Sequence, residues 1–181
     1  MFSSKDIFFG SQPSGSYQIS RSLRFRSSAS AYLSRTSGTS SNQSVGTLSF
    51  WMKGTPPNSG QNQPAVWCNT ANAGMVAWNL AAYGGKLFIR TDATNDVLYP
   101  MMFRDPSAWY HIVVAVDTTQ ATGSNRVRVY VNGVLQTASS GTAALNSTNF
   151  NSSSTVFNIG RDIGNLYYLD GYLSEYNFID G

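Results

Sequence analysis

Apolar and polar residues alternate with a period of two through most of the chain from residue 21 onward. Such alternation places apolar side chains on one face of a strand and polar side chains on the other. The apolar residues that share a face are Leu23 with Phe25, Leu48 with Phe50 and Met52, and Val127 with Val129 and Val131. No segment carries an apolar stripe with the 3.6-residue period of a helix. The chain is therefore predicted to be all-β.

Turn-forming residues separate the predicted strands. Residues 109–117, WYHIVVAVD, are apolar on both faces and predict a central strand that is covered on both sides. Asn132-Gly133 stands between two strand-like runs, and both residues accept a positive φ, which predicts a two-residue hairpin. Further strands are predicted near residues 30–34, 65–69, 75–80, 86–91, 96–101, 155–160 and 166–179. About a dozen short strands without helices predict an antiparallel sandwich of two sheets.

The first 20 residues lack this alternation and are predicted to form an N-terminal arm, followed by a sandwich domain over residues 21–181. The arm contains an apolar cluster, Ile7, Phe8 and Phe9, in a stretch otherwise rich in Ser, Gly, Gln and Pro. Exposing such a cluster invites association. We therefore expect the arm to dock onto another copy or another protein. Folding back onto its own sandwich is the alternative.

Composition excludes several classes of partner. Charged residues make up 12% of the chain, about half of the roughly 25% that is usual, so Ser, Thr, Asn and Gly must wet most of the surface. A net charge of +3 without a lysine-rich run does not fit nucleic-acid binding. No run of about twenty apolar residues predicts membrane insertion. Cys68 is the only cysteine, so no internal disulfide can form.

The order of several sequence blocks resembles a known superfamily. The blocks are SLRF and SAYLSR, then TLSFWMK, then WYHIVVAVD with RVRVYVNG, then FNIGR, and finally LDGYLSEYNFIDG. Together they resemble the laminin-G-like, concanavalin A-like jelly-roll superfamily over residues 21–181, and most of all its version in tailed-phage structural proteins. The resemblance implies a laminin-G-like β-sandwich.

A role in a virion is the leading function that the resemblance implies. The domain would be a non-enzymatic structural or adhesion component of a phage head or tail fibre, assembled in the host cytoplasm. Its partners would be virion proteins or further copies of itself, with host-surface glycans as a further ligand. The alternatives are a stand-alone carbohydrate-binding lectin module and, third, a glycan hydrolase.

The sequence offers no catalytic set for such a hydrolase. Glucanases of the superfamily carry two glutamates on one strand, and retaining cleavage needs two carboxyls about 5–5.5 Å apart. Glu175 is the only glutamate here, and Asp170 would lie roughly 16 Å away along a regular strand. We interpret Glu175 as a strand residue. His111, the only histidine, is interpreted as a core or edge position, and Cys68 as a small buried hydrophobe.

Calcium is the one cofactor that the resemblance suggests, because laminin-G-like domains often hold a calcium ion at a rim. Candidate ligands are Asp92, Asn95 and Asp96 in one loop, and Asp162 and Asn165 in another. Asp and Asn also form turns without any metal, and that interpretation is favoured.

Sugars stack on exposed aromatic rings, and residues 61–110 are rich in them. Candidate glycan- or partner-binding residues are Tyr83, Arg104 and Asp105 in loops, with Trp67 or Tyr99 if these rings point outward. Two alternating arginine pairs, Arg24 with Arg26 and Arg126 with Arg128, are interpreted as solvated faces. They would form a positive patch if their strands were neighbours.

Overall fold

The computed structural model describes residues 18–54, 62–69, 74–79, 85–92, 94–101, 103, 105–162, 164 and 166–181. The predicted arm cluster Ile7, Phe8 and Phe9 therefore lies outside the described residues, and the boundary at residue 20 stays a prediction. In the described part of the chain, no helix is long and apolar enough to cross a membrane.

The described residues form two six-stranded sheets in which every paired strand is antiparallel. The strands are β1 (Leu23–Phe25), β2 (Leu33–Thr36), β3 (Val45–Gly54), β4 (Asn62–Asn69), β5 (Met75–Asn79), β6 (Lys86–Arg90), β7 (Asp96–Tyr99), β8 (Tyr110–Asp117), β9 (Val127–Val131), β10 (Val134–Gln136), β11 (Val156–Ile159) and β12 (Gly171–Asp180). Sheet A has the order β1-β12-β3-β8-β9-β10, and sheet B has the order β2-β11-β4-β5-β6-β7. The predicted two-sheet antiparallel sandwich is confirmed.

Aromatic rings fill the space between the two sheets. Trp67 of β4 lies at the centre, and its ring centroid is 4.6 Å from that of Phe150, 5.2 Å from Phe157 and 5.8 Å from Phe178. Such pairs contribute roughly 0.5–1.5 kcal/mol each beyond area burial. A Cβ at Gly74 would lie 2.6 Å from the Trp67 ring, so only glycine allows the chain to pass this close. This cluster joins sheet B to sheet A.

Most of the predicted apolar faces point into this core. Leu48, Phe50, Met52, Val127 and Val129 are all buried, as the alternation predicts.

The prediction that residues 109–117 are covered on both sides was wrong. β8 is central in sheet A, yet the outward Val113 and Ala115 are only half-buried, whereas the inward Ile112 and Val114 are fully buried. Strand order makes β8 central, but only its inner face packs against sheet B.

The final strand starts later than predicted. Residues 166–170 lie outside a strand: the Asp162 carboxylate accepts the backbone N–H groups of Leu166 and Tyr167, each at 2.9 Å, and Tyr168 forms an isolated bridge with Arg161. β12 then begins at Gly171.

A β-bulge changes the phase of β12. Leu173 is buried and faces the core, so regular alternation would place residue 175 on the same face. The pairing with β3 shifts register between Ser174 and Asn177, and Glu175 adopts a left-handed φ of 47°. A bulge with a left-handed residue inserts one extra residue into a strand. It keeps Glu175 exposed rather than directed into the core.

Two aromatic side chains reach the core because of this change of phase. The Tyr176 ring stacks on Phe50 with centroids 5.7 Å apart, and its hydroxyl donates to the Val66 carbonyl at 3.1 Å. Burial raises the pKa of Tyr176 well above its ordinary value, so the hydroxyl keeps the proton that it donates. Phe178 joins the ring cluster described above. Without the extra residue, both rings would face solvent.

The Asn132-Gly133 hairpin is confirmed. Val131 pairs with Val134 across the turn, and φ is 50° at Asn132 and 80° at Gly133, which is the primed turn expected from the sequence. The turn is also tied to the neighbouring strand, because the Asn132 side chain accepts the backbone N–H of His111 at 2.9 Å.

Gly133→Val should lower the free energy of unfolding by about 1–3 kcal/mol, because a β-branched residue resists a positive φ. Nothing lies within 4 Å of a Cβ at this position, so the loss would come from backbone strain rather than from a clash. Urea unfolding measures it. Gly38→Val is the control, since a Cβ there also meets open space and its φ is not positive. Equal losses in both variants would contradict the turn assignment.

Glu175→Gly should leave the unfolding free energy unchanged or raise it by up to about 1 kcal/mol, because glycine occupies the left-handed region without strain. The matched control is Arg128→Gly on β9, an exposed strand position where glycine should cost about 0.5–1 kcal/mol. Chemical denaturation of both variants compares the two signs. A loss at residue 175 as large as at residue 128 would show that the bulge does not need a left-handed residue.

Candidate functional site

Trp67 and Tyr99, two of the candidate binding residues from the sequence, lie in the core. Trp67 is 2% exposed and Tyr99 is 1% exposed, so neither ring can bind a ligand at the surface. The Tyr99 hydroxyl donates to the Val127 carbonyl at 3.0 Å, and burial raises the pKa of Tyr99 to about 12. These two were candidates only if their rings pointed outward, and that condition is not met, because both occupy inward positions of sheet B. Tyr83 and Arg104 lie outside the described residues.

Asp105 is exposed and organises its own loop. Its carboxylate accepts the hydroxyl of Ser107 at 2.6 Å and the backbone N–H of Ser107 at 2.8 Å. These hydrogen bonds lower the pKa of Asp105. Its side chain therefore makes a turn, which is the ordinary role of Asp in a loop.

The first group of calcium candidates also makes a turn. The Asp92 carboxylate accepts the backbone N–H groups of Thr94 and Asn95, each at 2.9 Å, and the side-chain amide of Asn95 donates to it as well. Burial alone would raise the pKa of Asp92, but the hydrogen bonds from Thr94 and Asn95 outweigh it and lower the pKa. Asn95 presents its N–H group here, not the oxygen that a cation needs.

The remaining calcium candidates have other partners. Asp96 forms a two-pronged ion pair with Arg90, with N–O distances of 2.6 and 2.7 Å. Asp162 accepts the backbone N–H groups of Leu166 and Tyr167, in the segment before β12. Asn165 lies outside the described residues. Among the residues that the structure describes, no three His, Cys, Asp or Glu side chains gather in a group that could hold a metal.

The two arginine pairs do not form one positive patch. β1 and β9 are separated by β12, β3 and β8 in sheet A. Arg126 is also not a solvated side chain: its guanidinium donates to the carbonyls of Gln120, Ala121 and Ala143 at 2.8–2.9 Å. A joint patch was expected only if the two strands were neighbours, and the strand order of sheet A does not meet that condition.

The outer side chains of central sheet B are unavailable to a ligand. Cys68, Met75, Ala77 and Phe88 form a second buried cluster, separate from the main core, and each is at most 2% exposed. Cys68 is thus a buried hydrophobe, as predicted, and burial raises the pKa of its thiol to about 12. A protonated, buried thiol is not a nucleophile.

The outer face of sheet A presents a pair of stacked rings at the surface. Trp51 of β3 and His111 of β8 lie directly opposite each other in register, with ring centroids 4.9 Å apart and planes inclined by 29°. The His111 Nε2 atom lies 3.1 Å from the Ser49 hydroxyl oxygen, on the same face. Tyr130 of β9, half-buried, lies one strand further along. We call Ser49, Trp51, His111 and Tyr130 the ring platform.

Positive charge borders the platform. Lys53 follows Trp51 on the same face of β3 and pairs with Tyr172 of β12. The guanidinium of Arg24 lies 5.7 Å from the centre of the Tyr172 ring. On the far side, Arg128 is exposed on β9. The border therefore offers hydrogen-bond donors beside a flat aromatic surface.

Sequence reasoning assigned Trp51 to the polar face of its strand but did not nominate it for binding. The position of this tryptophan among the polar residues of an alternating strand could have indicated a binding residue, because a large ring placed there stays at the surface. The interpretation of His111 as a core or edge position was also wrong. It lies on the central strand β8, half-buried on the outer face.

This arrangement suits binding better than nucleophilic catalysis. A serine beside a histidine acts as a nucleophile when a third group, normally a carboxylate, orients the imidazole. Within the described residues, no Asp or Glu carboxylate hydrogen-bonds to His111. The rings offer apolar contact area, and the hydroxyl and imidazole offer hydrogen bonds, which is the usual make-up of a binding site.

Solved structures with the same architecture come from several organisms. The chain is similar to a native heptameric SAP-like pentraxin from Limulus polyphemus, with 14% identity, a TM-score of 0.52, and coverage of 81% of this chain and 75% of that one. It is similar to domain 4 of AbnA, a GH43 extracellular arabinanase from Geobacillus stearothermophilus solved in complex with arabinotriose, with 14% identity, a TM-score of 0.54, and coverage of 83% and 82%. Domains LG4-5 of the mouse laminin alpha1 chain match with 11% identity, a TM-score of 0.59, and coverage of 88% and 42%. At these identities the likeness shows the fold.

No curated protein sequence matches the chain. A family model does match, over residues 25–181, which is nearly the whole predicted sandwich domain. The chain therefore belongs to the laminin G group of the concanavalin A-like lectin/glucanases superfamily.

Proposed function

We propose that this domain is a non-catalytic binding module that recognises glycans on the outer face of sheet A. The single observation that carries the proposal is the ring platform: Trp51 stacks on His111 at the surface, with the Ser49 hydroxyl beside them. Trp51 and His111 are both half-buried, so part of each ring is accessible from solvent and can pack against a ligand.

The chemistry of the platform matches a sugar. One face of a pyranose or furanose ring presents C–H groups, which pack on a flat aromatic surface, while its hydroxyls need hydrogen-bond partners. Trp51 and Tyr130 supply rings, and Ser49, His111 and Lys53 supply polar groups at the border. A few polar groups around an apolar surface fix orientation in many ligand sites.

Two structurally similar domains support the assignment. The arabinanase domain was solved with arabinotriose, and the binding domain of a botulinum neurotoxin, with 10% identity and a TM-score of 0.52, was solved in complex with SialylT. The fold can thus carry sugar recognition in other proteins. Which surface this chain uses is argued from its own residues.

The same proposal makes the domain a binder rather than a hydrolase. Glu175 stands on an exposed bulge of β12, and it is the only glutamate in the chain. Cleavage with retention needs a second carboxyl about 5–5.5 Å away. Asp180, on the same strand, instead accepts the backbone N–H of Ser41 at 2.8 Å and the side-chain amide of Asn151 at 2.5 Å. Asp180 thereby fastens the end of β12.

Adhesion in a phage virion is the biological setting that we propose for this binding. Its support is the order of sequence blocks, which resembles tailed-phage structural proteins. A glycan-binding platform suits contact with a host surface. Virion partners and assembly in the host cytoplasm stay predictions from that resemblance.

A glycan array with the full chain, probed with and without calcium, tests the binding proposal. Trp51→Ala should weaken the strongest glycan interaction at least tenfold, equivalent to about 1.4 kcal/mol. The matched control is Tyr32→Ala, which removes an exposed ring of 42% accessibility next to β2 of sheet B and should leave affinity unchanged. An array without any bound glycan, or Trp51→Ala binding as tightly as the parent, would overturn the proposal.

Glu175→Gln distinguishes the binder from a hydrolase. The variant should bind the same glycans with the same affinity, and neither protein should release sugar from them. Reducing-end assays on the array's strongest ligands measure this. Hydrolysis by the parent that disappears in Glu175→Gln would refute the non-catalytic assignment.

A further inference from the structure

The sandwich is open along one edge, where β1 of sheet A and β2 of sheet B are the outermost strands. A groove of about 740 Å³ lies there. Leu23 pairs with Leu173 on the sheet A side, and Leu33 pairs with Ile159 on the sheet B side. All four side chains line the groove, so its walls are apolar residues from both sheets.

Two of these leucines are exposed although they occupy core-facing positions. Leu23 shares its face with the buried Phe25, as its spacing predicts, yet it is 58% exposed. Leu33 lies opposite Ile159, which packs against the core, yet it is 46% exposed. Apolar surface on an inward face that remains exposed to water indicates a site where another segment or molecule packs.

The N-terminal arm begins at the mouth of this groove. Arg21 and Ser22 line it, and the Ser174 hydroxyl donates to the Arg21 carbonyl at 2.5 Å, which fixes the chain at that point. The apolar cluster of the arm ends at residue 9, twelve residues before Arg21. Twelve residues span up to about 40 Å when extended, enough to turn back along the groove.

Charge at the mouth complements charge in the arm. Arg21 and Glu175 both line the groove and are exposed. Lys5 and Asp6 immediately precede the apolar cluster. One acid and one base on each side permit two ion pairs when the cluster enters the groove.

We propose that Ile7, Phe8 and Phe9 occupy this groove on their own chain, so that the arm closes the open edge of the sandwich. The groove favours folding back over docking onto a neighbouring protein, because an apolar receptor lies within reach of the arm's own root. The inference is independent of glycan binding, since the groove is formed by β1, β2, β11 and β12 rather than by the platform.

Cysteine cross-linking tests the proposal directly. Phe8→Cys combined with Leu33→Cys should form a disulfide within one chain under mild oxidation, seen as a faster-migrating monomer. Cys68 stays out of the reaction because its buried thiol has a pKa raised to about 12. The matched control pairs Phe8→Cys with Leu135→Cys, an exposed leucine on β10 at the opposite edge of sheet A. A cross-linked dimer, or a monomer cross-link no faster than the control, would overturn the proposal.

Truncation provides a second measurement that needs no cysteine. Deleting residues 1–15 should lower the thermal midpoint by several degrees and increase binding of an apolar fluorescent dye, because Leu23 and Leu33 become uncovered. Glycan binding should persist, so this result is separable from failure of the platform. An unchanged midpoint together with loss of an oligomer would show that the arm docks onto another copy instead.

Discussion

The left-handed conformation of Glu175 is the constraint on which both faces of sheet A depend. One extra residue in β12 directs Tyr176 and Phe178 into the core, where they stack on Phe50 and Trp67. The stacking of Phe178 on Trp67 and the hydrogen bond from the Tyr176 hydroxyl to the Val66 carbonyl connect sheet A to sheet B. The same shift keeps the charged Glu175 outside the core. Burying a carboxylate in the core without a partner would be costly. The bulge at Glu175 therefore decides which of the six side chains from residue 175 to residue 180 are buried.

The outer faces of the two sheets differ in burial. Outer side chains of central sheet B, such as Phe88 and Cys68, are buried and contribute to stability. The outer face of sheet A keeps Trp51 and His111 at the surface, held by regular pairing between two long central strands. Rings fixed on strands lose little freedom when a ligand binds, so less of the binding energy is lost to ordering. This rigidity makes the platform suitable for recognition of weakly contacting ligands such as sugars.

Hydrogen bonding accounts for the aspartates in the loops that the sequence suggested for calcium. Asp92 and Asp162 each accept backbone N–H groups from residues two to five positions ahead, and Asp105, a candidate for glycan binding, does the same in its own loop. In a chain with few charged residues, such carboxylates organise long connections that have no regular structure of their own. Apolar surface remains exposed at the open edge beside β1 and β2. We propose that the apolar cluster of the N-terminal segment covers this surface.

Several features could be predicted from local sequence because they depend on neighbouring residues alone. Alternation of period two fixed the inward sets of β3 and β9, and Asn132-Gly133 specified a primed turn through the conformations those two residues accept. The ordered blocks were sufficient for the superfamily. The sandwich followed, since strands with one apolar face must bury it against a second sheet.

Only the tertiary structure decided which rings are at the surface. Alternation placed Trp51 on the outer face of β3, but the sequence left open which way Trp67 points, and its burial follows from the packing of sheet B against sheet A. Strand order separated Arg24 from Arg128, and register placed His111 opposite Trp51. These relations join residues far apart along the chain, so no local pattern encodes them. Packing of the whole core sets the phase of each strand, its neighbours and its bulges together, and it thereby determined which side chains stand on the outer face of sheet A.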